Sequence, residues 1–257
     1  MSMLGLVRDG GVAVVTFNRP PANAMTRDFF REVELLLREL AAPAVRAVVI
    51  TGTGRFFSAG LDLFEVFAYG SADFSDFTTR FDAGFSGLFA LQKPVVAAMN
   101  GHAIAGGAVL AATADFRVMA DGDGRVGLTE IQVGLPFPVS VLEIVRYACA
   151  GPHLTELLCR GLTYPPRAAC TRQLVDEVVP ASDLLPRSIA LARELAALTP
   201  AAFAATKRAL RADTIARLRA VPPGTDPVWE QWRAPETRAA VEAYRARTLS
   251  AKSRSTS

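Results

Sequence analysis

Three segments of the chain combine residue types that could bind and activate a carbonyl group. Two are rich in glycine, at residues 57–63 and 100–109, and the third, at residues 127–135, holds Glu130 between apolar neighbours. Glycine lets backbone N–H groups approach a ligand closely, and a positioned carboxylate can move a proton. Together the segments predict thioester chemistry, in which two N–H groups hold a carbonyl oxygen and one acid transfers a proton.

Two places in the glycine-rich segments could supply the N–H donors. One is the turn Ala59-Gly60-Leu61, and the other is Gly106-Gly107 at the start of a predicted helix. The first N–H groups of a helix lack intrahelical partners and carry partial positive charge, so they favour an oxyanion. Gly-Gly before an alanine-rich helix is also common where elements simply pack closely, so the second segment alone allows either interpretation.

Glu130 is the candidate acid. It lies near Leu128 and Val133, and burial among such residues would raise its pKa towards neutrality. The alternative is a glutamate that is exposed or paired with an arginine, for which Arg117 or Arg125 is available.

Two other kinds of polar residue receive lesser roles. Asp62 lies within the first segment, where we interpret it as a turn-stabilising group rather than an acid. His102 and His153 are the only histidines. No metal-ligand spacing links them, so no metal site is predicted.

Composition limits the class of protein. The chain has 257 residues, 51% hydrophobic and 21% charged, which predicts a globular protein. Three cysteines argue against a disulfide framework, and the N-terminus lacks the layout of a signal peptide, so we expect a cytoplasmic protein. No apolar run approaches the length of a membrane span. The net charge of +3 gives no indication of a nucleic-acid partner.

Alternating strand and helix patterns predict an α/β layered core. Strands are predicted at 12–17, 45–50, 94–99 and 115–119, with a loop at 51–60. Helices are predicted after an N-cap at Thr26, along the phenylalanine stripe of 74–89, and at 139–148, 153–160, 187–198, 201–211 and 226–247. We place a boundary near residue 198, between a core of residues 1–198 and a helical subdomain of residues 199–257. That subdomain could cover a neighbour's site, and its tail from residue 250 is predicted to be disordered.

The three segments resemble the crotonase superfamily, also called the enoyl-CoA hydratase/isomerase family. The resemblance includes Phe17-Asn18-Arg19-Pro20 and Lys93-Pro94-Val95-Val96, and runs from roughly residue 12 to residue 209. It implies a spiral of β-β-α units with a C-terminal helical region. It also implies an acyl-CoA thioester substrate that carries coenzyme A itself, with no separate cofactor, and a homotrimer or hexamer.

The resemblance also implies residue roles. The N–H groups of Leu61 and Gly106 match the oxyanion hole, and Glu130 matches a catalytic glutamate. Ala22 and Ala24 lie near where the adenosine end would rest, and Ala59, Asp62 and Leu63 match the loop that contacts the CoA and acyl thioester. A dry acyl pocket is expected to involve Val109, Leu135, Phe137 and Phe67. Gly60 and Gly107 complete the positions expected to bind substrate.

One departure from the family pattern bears on the reaction. Hydratases of the family use two glutamates to activate water, and the first of these positions holds Val109, which can neither hold nor deprotonate water. A single glutamate is the pattern of the Δ3,Δ2-enoyl-CoA isomerases, and the chain resembles their mitochondrial type. Isomerisation is therefore the favoured reaction. A hydratase or other crotonase reaction with an acid from Asp62 or Glu65, and an acyl-CoA-binding protein without turnover, stay open as alternatives.

Overall fold

The computed structural model describes residues 2–149 and 151–255, with side chains up to residue 246. The strands are β1 Leu4–Asp9, β2 Val12–Phe17, β3 Ala47–Gly52, β4 Phe56–Ser58, β5 Val95–Met99, β6 His102–Ile104, β7 Phe116–Ala120, β8 Val126–Gly127, β9 Thr163–Tyr164 and β10 Glu177–Val179. The helices are α1 Arg27–Leu40, α2 Leu63–Val66, α3 Ser71–Ala90, α4 Gly106–Thr113, α5 Val139–Ala148, α6 Leu154–Arg160, α7 Pro166–Thr171, α8 Leu184–Ala196, α9 Pro200–Leu210, α10 Ala212–Ala220, α11 Val228–Trp232 and α12 Pro235–Ser255. Short 3-10 helices span Glu130–Val133 and Ala181–Asp183.

The strands alternate between two sheets. The first strand of each pair β3-β4, β5-β6 and β7-β8 joins a six-stranded sheet of order β1-β2-β3-β5-β7-β10. The second joins a four-stranded sheet of order β4-β6-β8-β9. Helices follow each pair, so each pair and its helices make one turn of a spiral. The predicted α/β fold, a spiral of β-β-α units with a C-terminal helical region, is confirmed.

The larger sheet is covered on both faces. Its central strands β3 and β5 are runs of small and branched apolar residues, which is typical of parallel strands buried on both sides. On one face, Ala192 of α8 packs with Val49 and Val96. On the other face, the phenylalanine stripe of α3 packs with Phe30 of α1, for example Phe85 at 5.4 Å between ring centroids.

Several of the predicted elements match the structure. Residues 12–17 and 139–148 have the predicted bounds, and Thr26 caps α1 by accepting a hydrogen bond from the N–H of Phe29. The predicted loop at 51–60 contains β4, which is too short to show an alternating pattern. The single helix predicted at 226–247 is wrong, because α11 ends before Pro235, and proline is disfavoured inside a helix.

The C-terminal helices pack on the chain's own core. Leu218, Trp229, Trp232 and Val241 belong to the same buried cluster as the phenylalanine stripe. The domain boundary near residue 198 stays a prediction. Within the tail predicted to be disordered, α12 extends to Ser255, and residues 256 and 257 lie outside the described residues.

No single helix in the described part of the chain is long and apolar enough to cross a bilayer. The segments 181–196 and 200–210 reach that threshold only as a pair, bent by 103° at the break between them.

A buried cluster of charges ties the C-terminal helices to the core. Asp115 accepts hydrogen bonds from Lys207 and from Arg211, each over 2.7 Å, and the side chains of these two cations are 4% and 2% exposed. Arg211 also donates to the carbonyl groups of Thr113 and Ala114, over 3.1 and 3.2 Å. These carbonyls end α4, so the cluster holds that helix at its C-terminus.

Asp115→Asn should lower the free energy of unfolding by about 3–5 kcal/mol, because it leaves two buried cations without their counter-charge. Chemical denaturation at one protein concentration measures the change. Asp121→Asn is the matched control, since Asp121 pairs with the exposed Arg167 over 2.8 Å, and its loss should cost less than about 1 kcal/mol. Similar small losses in both variants would contradict the stabilising role of the cluster.

Candidate active site

Three parallel strands end side by side at one edge of the smaller sheet. β4 pairs with β6, and β6 with β8, both in parallel. Leu61, Gly106 and Glu130 each lie two or three residues beyond the end of one of these strands. The carboxyl ends of neighbouring parallel strands meet at one edge, so the fold brings together three groups that are far apart in sequence.

A cavity of about 460 Å³ lies at this edge. The predicted site residues on its wall are Ala22, Ala24, Ala59, Leu61, Asp62, Leu63, Gly106, Glu130, Leu135 and Phe137. Gly60, Gly107 and Val109 are not on the wall.

The backbone N–H of Leu61 is available to a ligand. The N–H groups of its neighbours Ala59, Gly60 and Asp62 all donate to protein acceptors over 2.9–3.2 Å. Among the described residues, none accepts a hydrogen bond from the N–H of Leu61. Because a buried N–H is almost always bonded, its position on the cavity wall favours a ligand oxygen as its partner.

A second free N–H lies at the start of α4. The N–H of Gly106 has no acceptor within the described ranges. The N–H of Ala105, by contrast, bonds the carbonyl of Gly127 over 2.8 Å and ties the helix to β8. Ala105 has a φ of +53°, which is strained for a residue with a side chain and costs about 1–3 kcal/mol. The surrounding contacts enforce this conformation where α4 meets the cavity.

The two free N–H groups are neighbours. A Cβ added to Gly60 would lie 2.9 Å from the nitrogen of Gly106, and one added to Gly106 would lie 3.9 Å from the nitrogen of Leu61. Gly60 has a φ of +84°, so glycine is required there for conformation as well as for space. Two adjacent donors on a cavity wall form the arrangement of an oxyanion hole.

The remaining glycine and the valine of this segment have packing roles. A Cβ on Gly107 would lie 2.1 Å from the carbonyl oxygen of Ser58, so Gly107 lets α4 pack directly on β4. Val109 is fully buried in the main core cluster, one turn deeper in the helix. The prediction that Val109 lines the acyl pocket is therefore wrong. Phe67 also lies behind the wall, where it stacks on Trp232 at 6.4 Å.

Glu130 has the environment of a proton-transfer group. Its Oε2 is inaccessible to solvent and has no hydrogen-bond partner among the described residues. Burial raises the pKa of Glu130 to about 7, and only nearby backbone N–H groups act in the opposite direction. Arg117 bonds Asp176 and Arg125 bonds Thr163, so neither arginine neutralises the glutamate.

Asp62 is the other carboxylate among the described residues of the cavity wall, and it already accepts hydrogen bonds from the protein. Asp62 accepts a hydrogen bond from the N–H of Glu65 over 3.2 Å, which caps α2, and one from Arg19 over 2.9 Å. The prediction of a turn-stabilising role is confirmed. Glu65 is not on the wall, and it accepts from the hydroxyl of Tyr69 over 2.6 Å.

Sequence reasoning missed several wall residues. They are Arg19, Pro20, Pro21, Phe64, Phe81, Ile104, Ala105, Thr129, Gln132, Val133, Pro138, Val141, Trp232 and Tyr244. Arg19 and Pro20 belong to the segment Phe17-Asn18-Arg19-Pro20, which the family resemblance includes. Trp232 and Tyr244 belong to α11 and α12, which close over the cavity of their own chain. No local pattern signals this, because it depends on how the C-terminal helices fold back.

The fold and the site together define a family of enzymes. The family model for enoyl-CoA hydratase/isomerase matches residues 8–234. The chain is 36% identical over 211 residues to carnitinyl-CoA dehydratase of Escherichia coli K12, covering 81% of this chain and 80% of that protein. The chain therefore belongs to the enoyl-CoA hydratase/isomerase family of the crotonase superfamily, whose members act on acyl-CoA thioesters.

Solved structures give the same fold. Human mitochondrial delta3-delta2-enoyl-CoA isomerase is 26% identical, with a TM-score of 0.93 over 98% of this chain and 100% of that chain. A probable enoyl-CoA hydratase of Mycobacterium tuberculosis is 29% identical, with a TM-score of 0.80 over 85% of this chain and 92% of that one.

Gly60→Ala should lower turnover of an enoyl-CoA by about 10²–10³, because its Cβ would displace one of the two N–H donors. Gly54→Ala is the matched control, since Gly54 also has a positive φ, +66°, but its Cβ would meet nothing within 4 Å. Steady-state kinetics of both variants make the comparison. Equal activity in the two would contradict the assignment of the oxyanion hole.

Proposed function

We propose that the protein is an isomerase that moves the double bond of a 3-enoyl-CoA to the 2-position. The observation that carries the proposal is the carboxylate of Glu130, whose Oε2 has no hydrogen-bond partner among the described residues, on a cavity wall that also presents two free N–H groups. The reaction needs one oxyanion site and one group that takes a proton from C2 and returns it at C4.

The N–H groups of Leu61 and Gly106 and the carboxylate of Glu130 would together carry out the removal and the return of the proton. The thioester oxygen would accept hydrogen bonds from the N–H groups of Leu61 and Gly106, which stabilise the negative charge that develops as the C2 proton leaves. Glu130 takes that proton, and the electron pair delocalises over the dienolate. The protonated glutamate then gives the proton to C4, and the double bond comes to rest between C2 and C3. A pKa of about 7 suits both proton transfers, because Glu130 must accept and release a proton at the same pH.

Three observations favour isomerisation over hydration. The position of the first hydratase glutamate holds Val109, which is buried in the core. Asp62, the other carboxylate among the described wall residues, forms an ion pair with Arg19. The likeness to the human isomerase structure also extends over 98% of this chain, C-terminal helices included.

A dehydratase is the second candidate, favoured by the 36% identity to carnitinyl-CoA dehydratases. Loss of water from a 3-hydroxyacyl-CoA also begins with removal of a C2 proton, which Glu130 could perform. The leaving hydroxyl group then needs an acid. Asp62 could supply that acid only by leaving its ion pair with Arg19.

The proposal extends to the setting of the reaction. Coenzyme A enters as part of the substrate, and the chemistry described requires no further cofactor. No group of three or more His, Cys, Asp or Glu side chains in the described ranges is arranged to hold a metal ion. We propose a cytoplasmic protein that assembles as a homotrimer or hexamer.

Glu130→Gln should abolish isomerisation, with a loss of at least about 10²-fold, because an amide cannot take up the C2 proton. Acyl-CoA binding should survive, since the oxyanion donors are untouched. Turnover of a 3-enoyl-CoA and calorimetric binding of a saturated acyl-CoA measure the two effects. Glu65→Gln is the control, and loss of activity in that variant with retention in Glu130→Gln would reverse the assignment.

A paired substrate assay separates the candidate functions. The wild-type protein should convert a 3-enoyl-CoA and should leave the conjugated 2-enoyl-CoA unhydrated. Hydration of the second substrate would support the dehydratase candidate, since hydration is the reverse of dehydration. If neither substrate reacts at any chain length while acyl-CoA still binds, the protein is a binding protein and the proposal is wrong.

The pH profile should show the ionisation of Glu130. The base form is active, so kcat/KM should fall about tenfold per pH unit below a pKa near 7 and should level off above it. Initial rates at low substrate concentration between pH 5 and 9 measure the profile. A midpoint near 4.5, the ordinary value for glutamate, would contradict a buried catalytic carboxylate.

A further inference from the structure

A second buried carboxylate lies outside the reaction described above. Asp82 of α3 is only 6% exposed. It accepts hydrogen bonds from the hydroxyl of Ser140 over 2.6 Å, the N–H of Gly224 over 2.8 Å and the indole Nε1–H of Trp229 over 3.1 Å. Among the described residues, no lysine or arginine forms an ion pair with it.

The three donors to Asp82 come from separate parts of the chain. Ser140 belongs to α5, Gly224 to the connection between α10 and α11, and Trp229 to α11. Burying a carboxylate is costly unless hydrogen bonds replace its hydration. Here those bonds tie the segment before α12 to the core at α3, so the carboxylate has the geometry of a tether.

The tether leads directly to the cavity wall. The ring of Trp229 lies 4.9 Å from that of Trp232, edge to face, and 5.2 Å from the ring of Phe81, centroid to centroid. Phe81 and Trp232 both line the cavity. Trp232 also donates its Nε1–H to the carbonyl of Pro136 over 2.9 Å. Asp82 therefore holds one indole, which packs on two wall residues.

Burial shows which end of the cavity these residues form. Phe81, Leu135 and Trp232 are each 2% exposed, so they form the inner end. Phe64 and Tyr244 are 42% and 40% exposed and lie at the mouth. We expect a ligand whose thioester is held by the N–H groups of Leu61 and Gly106 to send the far part of its acyl chain to this inner end.

We infer that Asp82 is a positioning residue, which fixes Trp232 through Trp229 and thereby determines how long an apolar acyl chain the cavity holds. This inference rests on the acyl-CoA site proposed above, but not on the isomerase reaction. A long chain contacts the inner wall and depends on Asp82, whereas an acetyl group does not reach it.

A second contact keeps the segment in place when Asp82 is changed. Asp226 accepts hydrogen bonds from the N–H of Val139 over 2.7 Å and of Val228 over 3.0 Å. Asp82→Asn should therefore loosen the wall without releasing the C-terminal helices.

Calorimetric binding of saturated acyl-CoA thioesters of increasing chain length to the full-length protein tests the inference. In Asp82→Asn, the longest thioester that the wild type binds should lose about tenfold in affinity, while the affinity for acetyl-CoA should not change. Trp229→Phe keeps an aromatic ring, although a smaller one, and removes the N–H donor, and it should show the same dependence on chain length. Asp76→Asn, on the exposed side of the same helix, is the matched control.

Fluorescence gives a second readout, because Trp229 and Trp232 are the only two tryptophans of the chain. Both are buried, so Asp82→Asn should shift their emission to longer wavelength and increase quenching by acrylamide, while Asp76→Asn should change neither.

Two results would overturn the inference. One is wild-type affinity at every chain length in a folded Asp82→Asn, and the other is an equal loss for acetyl-CoA and long chains. If that variant does not fold, Trp229→Phe decides by the same criteria. Because binding rather than turnover is measured, a protein that fails to isomerise but shows this dependence on chain length would refute the proposed reaction alone.

Discussion

The site depends on the parallel alignment of β4, β6 and β8. Each of these short strands ends at the same edge of the smaller sheet, and each is followed within three residues by one group of the site. The close approach of the turn at Gly60 to the start of α4 then brings two free N–H groups together. A change that shifts one strand against its neighbour would separate the N–H donors from the glutamate, whatever side chains the wall retained.

The surrounding structure supports this edge from two sides. Arg211 and Asp115 hold the C-terminal end of α4, whose first residue presents a free N–H group to the cavity. The C-terminal helices supply Trp232 and Tyr244 to the cavity wall. Burial raises the pKa of Glu130 to about 7, and Oε2 has no hydrogen-bond partner among the described residues. Packing around the cavity thus contributes to the raised pKa of the carboxylate that we propose as the proton-transfer group.

Sequence reasoning recovered the parts of the protein that leave a local pattern. The spiral fold, the Thr26 cap and the three segments around Leu61, Gly106 and Glu130 followed from glycine positions, apolar runs and the family resemblance. Apart from the short strand β4 and the helix break before Pro235, its failures concern contacts that the local pattern does not show. An apolar residue in a helix looks the same whether it faces the cavity or the core, so Val109 was placed on the wall. The tether at Asp82 gave no signal, since its partners lie 58 to 147 residues away.

The central claim is that a single glutamate, Glu130, carries one proton from C2 to C4. A 3-enoyl-CoA that carries deuterium at C2, converted in ordinary water, tests it most directly when the product is analysed by mass spectrometry. The account predicts that a substantial fraction of the product carries deuterium at C4, because Oε2 of Glu130 is shielded from solvent. Complete loss of the label to water during a single turnover would contradict proton transfer by one shielded carboxylate.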